Sequence, residues 1–151
     1  MQDLFSRRIV GWSLGESLEA DLVCDAFERA VKTRGFACLM GTGKLFHLDR
    51  GSQYASELFG KVLKKHGFVA SMSRKANCWD NAVAESFFGT YKSELVAEQP
   101  AARFASREQA YRLTADYIEN FYNRVRLHST LDYRSPVMFE LAHQAGQLSA
   151  F

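Results

Sequence analysis

The sequence predicts an α/β fold, in which strands alternate with amphipathic helices. Two short apolar runs, at residues 45–48 and 68–72, have the length and the polar flanks of buried strands. The segment between them repeats apolar residues at helical spacing and stops at Gly67. Strands that alternate with helices in this way imply an α/β domain.

The elements of the first third of the chain follow from composition and capping residues. Residues 7–14 are rich in β-branched and aromatic side chains and predict a buried strand. A helix follows, with Ser17 as its N-cap and Gly35 at its end. Residues 36–44 predict a loop that leads into the strand 45–48.

After the second helix, predicted at about residues 55–66, the chain continues with mostly helical patterns. A polar loop at residues 73–81 precedes a third helix, which Asn81 would cap, and Pro100 lies in the break beyond it. Ser106 and Gln109 form a candidate capping box for a fourth helix. The side chains expected on the buried stripe of that helix are Leu113, Tyr117, Ile118 and Phe121, and the neighbouring aromatic residues Tyr111 and Tyr122 are also expected in the core.

The tail and the overall composition predict one compact domain over residues 1–151. Pro136 allows one last helical turn, and no stretch is long and polar enough to be a linker between domains. Apolar residues make up 47% of the chain, yet no apolar run approaches the ~20 residues of a membrane span. Three widely spaced cysteines suit a reducing compartment, so we expect a cytoplasmic protein with no membrane partner.

Two carboxylates and one lysine suggest a metal-dependent site. Asp49 ends the predicted strand, and Glu85 lies on the third helix after thirty-five intervening residues. Lys92 is seven positions beyond Glu85, close to two helical turns, and therefore on the same face. Magnesium prefers oxygen ligands, and a pair of such ions can assist phosphoryl transfer. A turn residue is the alternative role of Asp49, since aspartate and glycine favour turns.

Four stretches of the chain resemble one family over nearly its whole length. "HLDRGSQYAS" and, downstream of it, "DNAVAESFFGTYKSEL" are similar to the integrase-type catalytic core of bacterial insertion-sequence transposases, which are related to retroviral integrases. "DLFSRRIVGW" near the start and "FYNRVRLHSTLDYRSPVMFE" near the end are similar to the flanking motifs of that family.

The resemblance implies a ribonuclease H-like fold, a mixed sheet flanked by helices, with an acidic triad that binds two Mg²⁺ or Mn²⁺ ions. Asp49 matches the second acid, Glu85 the third and Lys92 the DNA-contacting lysine. The family carries its first acid on the first strand, upstream of "DLFSRRIVGW". We therefore expect a domain that is incomplete at the N-terminus and lacks that strand, with Asp3 in a structural role.

The resemblance also implies DNA as a partner, both insertion-sequence ends and target DNA, and allows pairing with itself or with an intact transposase. Asn81 could orient Glu85 or touch DNA, or could simply cap the helix. Basic clusters can follow phosphates, although the net charge of the chain is only +2. The cations predicted to contact DNA are Lys92, Lys61, Lys64, Lys65, Arg124 and Arg126.

Three functions follow from these observations. The first is a transposase catalytic-core fragment of the DNA strand cleavage and transfer class, inactive alone because the first acid is missing. The second is a non-enzymatic remnant that binds DNA or an intact transposase. The third is an unrelated hydrolase, such as a glycosidase that uses Asp49 and Glu85 as its acid pair.

Overall fold

The computed structural model describes residues 1–16, 20–35, 44–48, 56–72 and 82–146. Asp49, Asn81 and the predicted cap Ser17 lie outside these ranges. Strands and helices alternate through the first half, so the predicted α/β class is confirmed. The helices and strands of the described ranges are α1 Ala20–Arg34, β1 Lys44–Leu48, α2 Glu57–Lys65, β2 Phe68–Met72, α3 Ala82–Tyr91, α4 Arg107–Asp116 and α5 Pro136–Gln144.

The chain forms two compact units. The N-terminal unit consists of Met1 and Val10–Ala84, and the C-terminal unit consists of Gln2–Ile9 and Glu85–Phe151. The single-domain organisation stays a prediction. Among the helices of the described ranges, none combines the length and apolar character that crossing a membrane requires.

The N-terminal unit is built on a parallel strand pair. β1 and β2 pair in register from Lys44 opposite Phe68 to Leu48 opposite Met72, and α2 lies between them in the chain. Ser56 caps α2, since its Oγ accepts a hydrogen bond from the Phe59 N–H at 3.2 Å. The predicted strand–helix–strand unit is therefore confirmed.

Aromatic rings fill the core of the N-terminal unit. Phe27 of α1 meets Phe46 of β1, Phe59 of α2 and Phe68 of β2 edge-to-face, with ring centroids 5.2 to 5.7 Å apart. Such contacts add to the burial of apolar area. This packing fixes β1, and with it the point where Leu48 ends the strand.

The predicted strand over residues 7–14 is wrong. Within the described chain, this stretch makes only an isolated antiparallel bridge between Ile9 and Gln2, and Arg7 has a positive φ of 61° that a strand does not use. Gly11 instead approaches α1, where an added Cβ would lie 2.1 Å from the Ala26 carbonyl oxygen. The apolar residues of this segment correctly indicated that it is buried. Packing against a helix buries such side chains as well as pairing in a sheet does.

The C-terminal unit contains two wider helical turns that continue α3 and α4, a π-turn at Lys92–Val96 and another at Tyr117–Tyr122. The second one corrects the predicted stripe. Phe121 is 41% exposed, whereas Tyr122 is 3% exposed. In a π-turn the carbonyl of residue i accepts a hydrogen bond from the N–H of residue i+5, as the Ile118 carbonyl does from the Asn123 N–H at 3.1 Å. Because the turn is wider, the side chain on the same side as Tyr117 is Tyr122 rather than Phe121.

The other helix predictions for this unit hold in part. Ser106 caps α4 through the Gln109 N–H at 3.1 Å, and the Gln109 side chain accepts from the Ala105 N–H at 2.6 Å, one residue earlier than a capping box requires. Pro136 opens a nine-residue helix, not the single turn that was expected. Ser135 caps this helix with a 3.4 Å contact from the Met138 N–H, so the start was readable even though the length was not.

Candidate functional site

Glu85 of α3 and Lys92 of the turn that follows it are both exposed, and their seven-residue spacing predicts a common face. Glu85 lies in the first turn of α3, where the helix dipole favours a negative charge, and Lys92 begins the π-turn that continues the helix. Gly89 lies between them on that face, and a Cβ there would meet nothing within 4 Å. Phe88 lies on the same side of the helix and is 56% exposed, so an aromatic ring borders the space between the two charges.

Both charges of this face are uncommitted. Within the described chain, neither the Glu85 carboxylate nor the Lys92 ammonium makes an ion pair or a side-chain hydrogen bond. Exposed and unpaired oxygens suit a hard cation such as Mg²⁺, and an unpaired ammonium suits a phosphate. The described ranges contain no group of three or more acidic, histidine or cysteine side chains that could hold a metal ion by themselves. Asp49, the other predicted ligand, lies outside those ranges.

Three predicted DNA-binding lysines lie on the exposed surface of α2. Lys61, Lys64 and Lys65 are spaced so that they share a face. Lys65 Nζ is 3.3 Å from Glu28 Oε1, and His66 Nε2 is 3.1 Å from the same oxygen. The hydrogen bond from His66, with a weaker contribution from Lys65, lowers the pKa of Glu28. Lys61 and Lys64 make no such contact within the described residues, so they are the freer cations of this helix.

The two predicted DNA-binding arginines have partners in the C-terminal unit. Arg124 is exposed and its Nε donates to the Glu119 carbonyl at 3.2 Å. Arg126 Nε lies 2.9 and 3.0 Å from the two Glu94 oxygens, and its guanidinium lies over the Tyr122 ring, 5.8 Å from the centroid. DNA contact by either arginine stays a prediction, but Arg126 has a structural role that the sequence did not indicate.

Glu94 completes a small network with Arg126 and Tyr117. The Tyr117 hydroxyl donates to Glu94 Oε2 at 2.8 Å. Burial, and then this hydrogen bond to a carboxylate, raise the pKa of Tyr117 well above its ordinary value. Each charge of the network therefore has a partner, whereas those of Glu85 and Lys92 have none within the part of the chain that the structure describes.

The motifs at the two ends of the chain meet in the C-terminal unit. Asn123, which is 2% exposed, accepts from the Ile9 N–H at 2.9 Å and donates to the Ile9 carbonyl at 3.0 Å. Arg8 Nη1 and Ser6 Oγ bind the two oxygens of Glu140 at 2.7 and 2.6 Å. These contacts give both flanking motifs a structural function.

Asp3 has the structural role that was expected of it. Its Oδ1 accepts from the Phe5 N–H at 2.8 Å and from the Ser6 N–H at 3.2 Å, which stabilises the turn that follows. A carboxylate oxygen that closes a local turn is poorly placed to serve as a metal ligand as well.

The C-terminal unit also has an open cleft of about 370 Å³ that the sequence did not reveal. Ser86 and Thr90 of α3 line one side, and Arg126, His128 and Tyr133 line the other. His128 packs edge-on against a neighbouring tyrosine ring, and burial, followed by the charges of nearby arginines, lowers its pKa from 6.5 to about 4. Its Nε2 is buried with no hydrogen-bond partner among the described residues. The spacing of the two hydroxyl side chains, four apart on a helix, was the one sequence signal for this side of the cleft.

Comparison with known families identifies the class of protein that this fold and site define. Residues 1–78 match a family model described as "Integrase core domain", and residues 66–136 match a second model with the same description. The chain therefore belongs to the integrase core domain family, of the type found in insertion-sequence transposases. Membership implies a ribonuclease H-like fold, of which the described ranges show an α/β arrangement with a two-stranded parallel sheet.

The chain is also similar to individual curated proteins of insertion sequences. It is 43% identical over 138 residues to the transposase for insertion sequence element IS904 of Lactococcus lactis, covering 91% of this chain and 52% of the relative. It is 40% identical over 138 residues to the transposase InsF for insertion sequence IS3A of Escherichia coli, covering 91% and 46%. An insertion element IS600 protein of Shigella sonnei is 38% identical over 145 residues, covering 95% and 51%. The chain thus spans about half the length of the curated relatives it matches.

Proposed function

We propose that this chain supplies the catalytic core for metal-dependent DNA strand cleavage and transfer during transposition of an insertion sequence. The observation that carries the proposal is a pair of exposed charges, Glu85 of α3 and Lys92 just after it, which make no ion pair within the described residues of a chain of the integrase core family. An unpaired surface carboxylate and ammonium at this spacing suit a bound ion and a phosphate.

Asp49 and Glu85 are the proposed ligands of Mg²⁺ or Mn²⁺, two ions in the complete site. Bound ions of this kind activate an attacking oxygen and stabilise a leaving one. Glu85 offers oxygen ligands from a rigid helix, which holds them more precisely than a loop would. Lys92 positions a DNA phosphate on the same face as a point charge. Asn81 is proposed to orient Glu85 or to contact DNA, and a capping role is its alternative.

The activity of this site depends on a third carboxylate in the family pattern. Two of the three acids match positions within these 151 residues, so we expect the polypeptide of residues 1–151 alone to show little strand transfer with Mg²⁺. Fusion of a family first strand with its aspartate, together with the family's DNA-end-binding region, should restore metal-dependent cleavage of insertion-sequence ends. Comparable cleavage by the unextended polypeptide, lost in Asp3→Asn, would contradict this assignment.

DNA binding without cleavage is the second candidate function. The observation that favours it is the α2 surface, where Lys61 and Lys64 are exposed and unpaired within the described chain. With Lys92, Arg124 and Lys65 they would contact phosphates and release counterions, so affinity should fall steeply as salt rises. Fluorescence anisotropy with a labelled duplex, titrated with salt, tests this, and a flat salt response would contradict it. A partner role toward an intact transposase is part of the same candidate.

A further inference from the structure

A strained tyrosine lies at the edge of the cleft in the C-terminal unit. The turn 131–134 is closed by a hydrogen bond from the Arg134 N–H to the Leu131 carbonyl at 3.1 Å. Its central residues, Asp132 and Tyr133, have positive φ angles of 52° and 54°. Turns with positive φ at both central positions favour asparagine, aspartate or glycine at the first and glycine at the second. Asp132 fits this preference, whereas Tyr133 occupies the position where glycine is expected.

Burial does not offset the backbone strain of Tyr133. Its side chain is 73% exposed, so the ring contributes little to the packing of the described residues. A large residue in the left-handed region that gains nothing from the core points to a function, because such strain persists mainly at binding and catalytic sites. Tyr133 lines the cleft, and most of its surface is accessible to a ligand.

The interior of the cleft is polar but has little uncommitted charge. Arg126 is the one arginine or lysine among its described lining residues, and Glu94 already pairs with its Nε. His128 has a pKa of about 4 and is neutral at pH 7, with its buried Nε2 lacking a partner within the described residues. Thr90 and Ser86 add hydroxyls, of which the Thr90 hydroxyl donates to the Ser86 carbonyl at 2.8 Å. The lining therefore suits a neutral ligand with hydrogen-bonding edges better than it suits a phosphate.

An aromatic platform beside neutral polar groups has the chemistry of a nucleobase site. Proteins bind unpaired bases by stacking them on aromatic side chains and by bonding to their edges. The volume of about 370 Å³ lies at the lower end of the ~300–1,000 Å³ usual for small-molecule sites. Ser86, which lines the cleft, directly follows Glu85 in α3.

We infer that the cleft holds an unpaired DNA base, stacked on Tyr133, with the hydroxyl of Ser86 at its hydrogen-bonding edge. The inference rests on the proposed function, since DNA is taken as the ligand. A base held beside Ser86 would belong to the strand that passes the Glu85 carboxylate. The cleft would then distinguish an opened DNA end from an intact duplex.

The experiment compares three labelled DNA probes by fluorescence anisotropy at one fixed salt concentration. The first is a duplex with a three-nucleotide overhang, the second has abasic residues in that overhang, and the third is fully paired. We expect the chain to bind the first probe about 10- to 100-fold more tightly than the second, the range that one stacked base contributes. Equal affinity for the first two probes would overturn the inference.

Tyr133→Gly is the decisive variant because it separates binding from folding. Glycine relieves the left-handed strain, so the thermal midpoint should rise, while the preference for the base-containing overhang should disappear. Tyr133→Phe keeps the ring and should keep the preference. Tyr111→Ala, at another exposed tyrosine on α4 outside the cleft, is the matched control and should also keep it.

The outcomes distinguish this inference from the function on which it rests. If the wild-type chain binds none of the three probes, DNA is not the ligand, and both the proposed function and this inference are wrong. If it binds all three probes equally, or if Tyr133→Gly keeps the preference, the proposed function stands and the base site is wrong.

Discussion

Two glutamates on one helical run of the C-terminal unit differ in what surrounds them. Glu85 and Glu94 are nine positions apart, about two and a half turns, so they point to opposite sides of the helix. The Glu85 carboxylate is unpaired within the described chain, as is the nearby Lys92 ammonium. Glu94 is bound by Arg126 Nε at 2.9 and 3.0 Å and by the Tyr117 hydroxyl at 2.8 Å.

The difference shows that residue type alone does not separate a functional charge from a structural one. A paired carboxylate contributes to stability, and its removal leaves its partners unsatisfied. An unpaired surface carboxylate contributes little to stability, so its replacement should affect only what it binds. Four predictions test this contrast.

The largest expected effect belongs to Glu85. In a chain extended with the family's first strand and end-binding region, Glu85→Gln should lower metal-dependent cleavage at least about 1,000-fold, because the amide keeps the shape and loses the charge that binds the ion. The free energy of unfolding should change by less than about 0.5 kcal/mol, as is usual for exposed positions. Cleavage assays and urea denaturation provide the two measurements. A large loss of stability would mean that the Glu85 side chain has a structural role.

Glu94→Gln should show the reverse pattern. Loss of the charge leaves Arg126 without its ion-pair partner and weakens the Tyr117 hydrogen bond, and we expect a loss of about 1–2 kcal/mol in unfolding free energy. The estimate is reduced because both members of the ion pair are partly exposed. Urea denaturation of Glu94→Gln, Arg126→Met and the double variant measures the coupling between the two side chains. Additive losses would mean that the ion pair contributes nothing.

Acid should destabilise the C-terminal unit through protonation of His128. Burial and then the charge of Arg126 lower the pKa of this histidine, and the charge of Glu94 raises it. Its folded-state pKa of about 4 is below the ordinary 6.5, so the unfolded chain takes up a proton first as pH falls. The contribution to stability is complete above about pH 6.5 and is lost as pH falls from there to about 4. Allowing for solvent screening of the partly exposed ring, we expect a loss of about 1–2 kcal/mol, absent from His128→Gln. Parallel pH profiles of the two proteins would argue against this role.

The smallest effects should come from single lysines. Lys64→Ala should lower DNA affinity a few-fold and reduce the slope of log affinity against log salt by about 1, the value for one lost phosphate contact. Lys65→Ala is the matched comparison on the same helix, and it should change the slope less, because Lys65 is 3.3 Å from Glu28. Anisotropy titrations across salt concentrations measure both slopes. A larger change of slope for Lys65→Ala than for Lys64→Ala would mean that Lys65 is the lysine that contacts the phosphate.

The sequence by itself determined those features that depend only on residues close to one another in the chain. The two short strands with a helix between them, the cap at Ser106 and the helix end at Gly35 follow from neighbouring residues, and the structure has each of them. The common face of Glu85 and Lys92 follows from helical geometry in the same way. The family could be identified from motifs because their residue types and order are properties of the sequence.

Only the tertiary structure decided the features that depend on distant partners. Apolar residues at 7–14 indicated burial, but contact with α1 rather than strand pairing determined their conformation. The π-turn at Tyr117–Tyr122 placed Tyr122 inside and Phe121 outside, which no fixed helical period predicts. The pairing of Glu94 with Arg126 joins residues thirty-two positions apart. Sequence patterns report local conformational preference and solvent exposure, whereas the choice of partner depends on which surfaces the whole fold brings together.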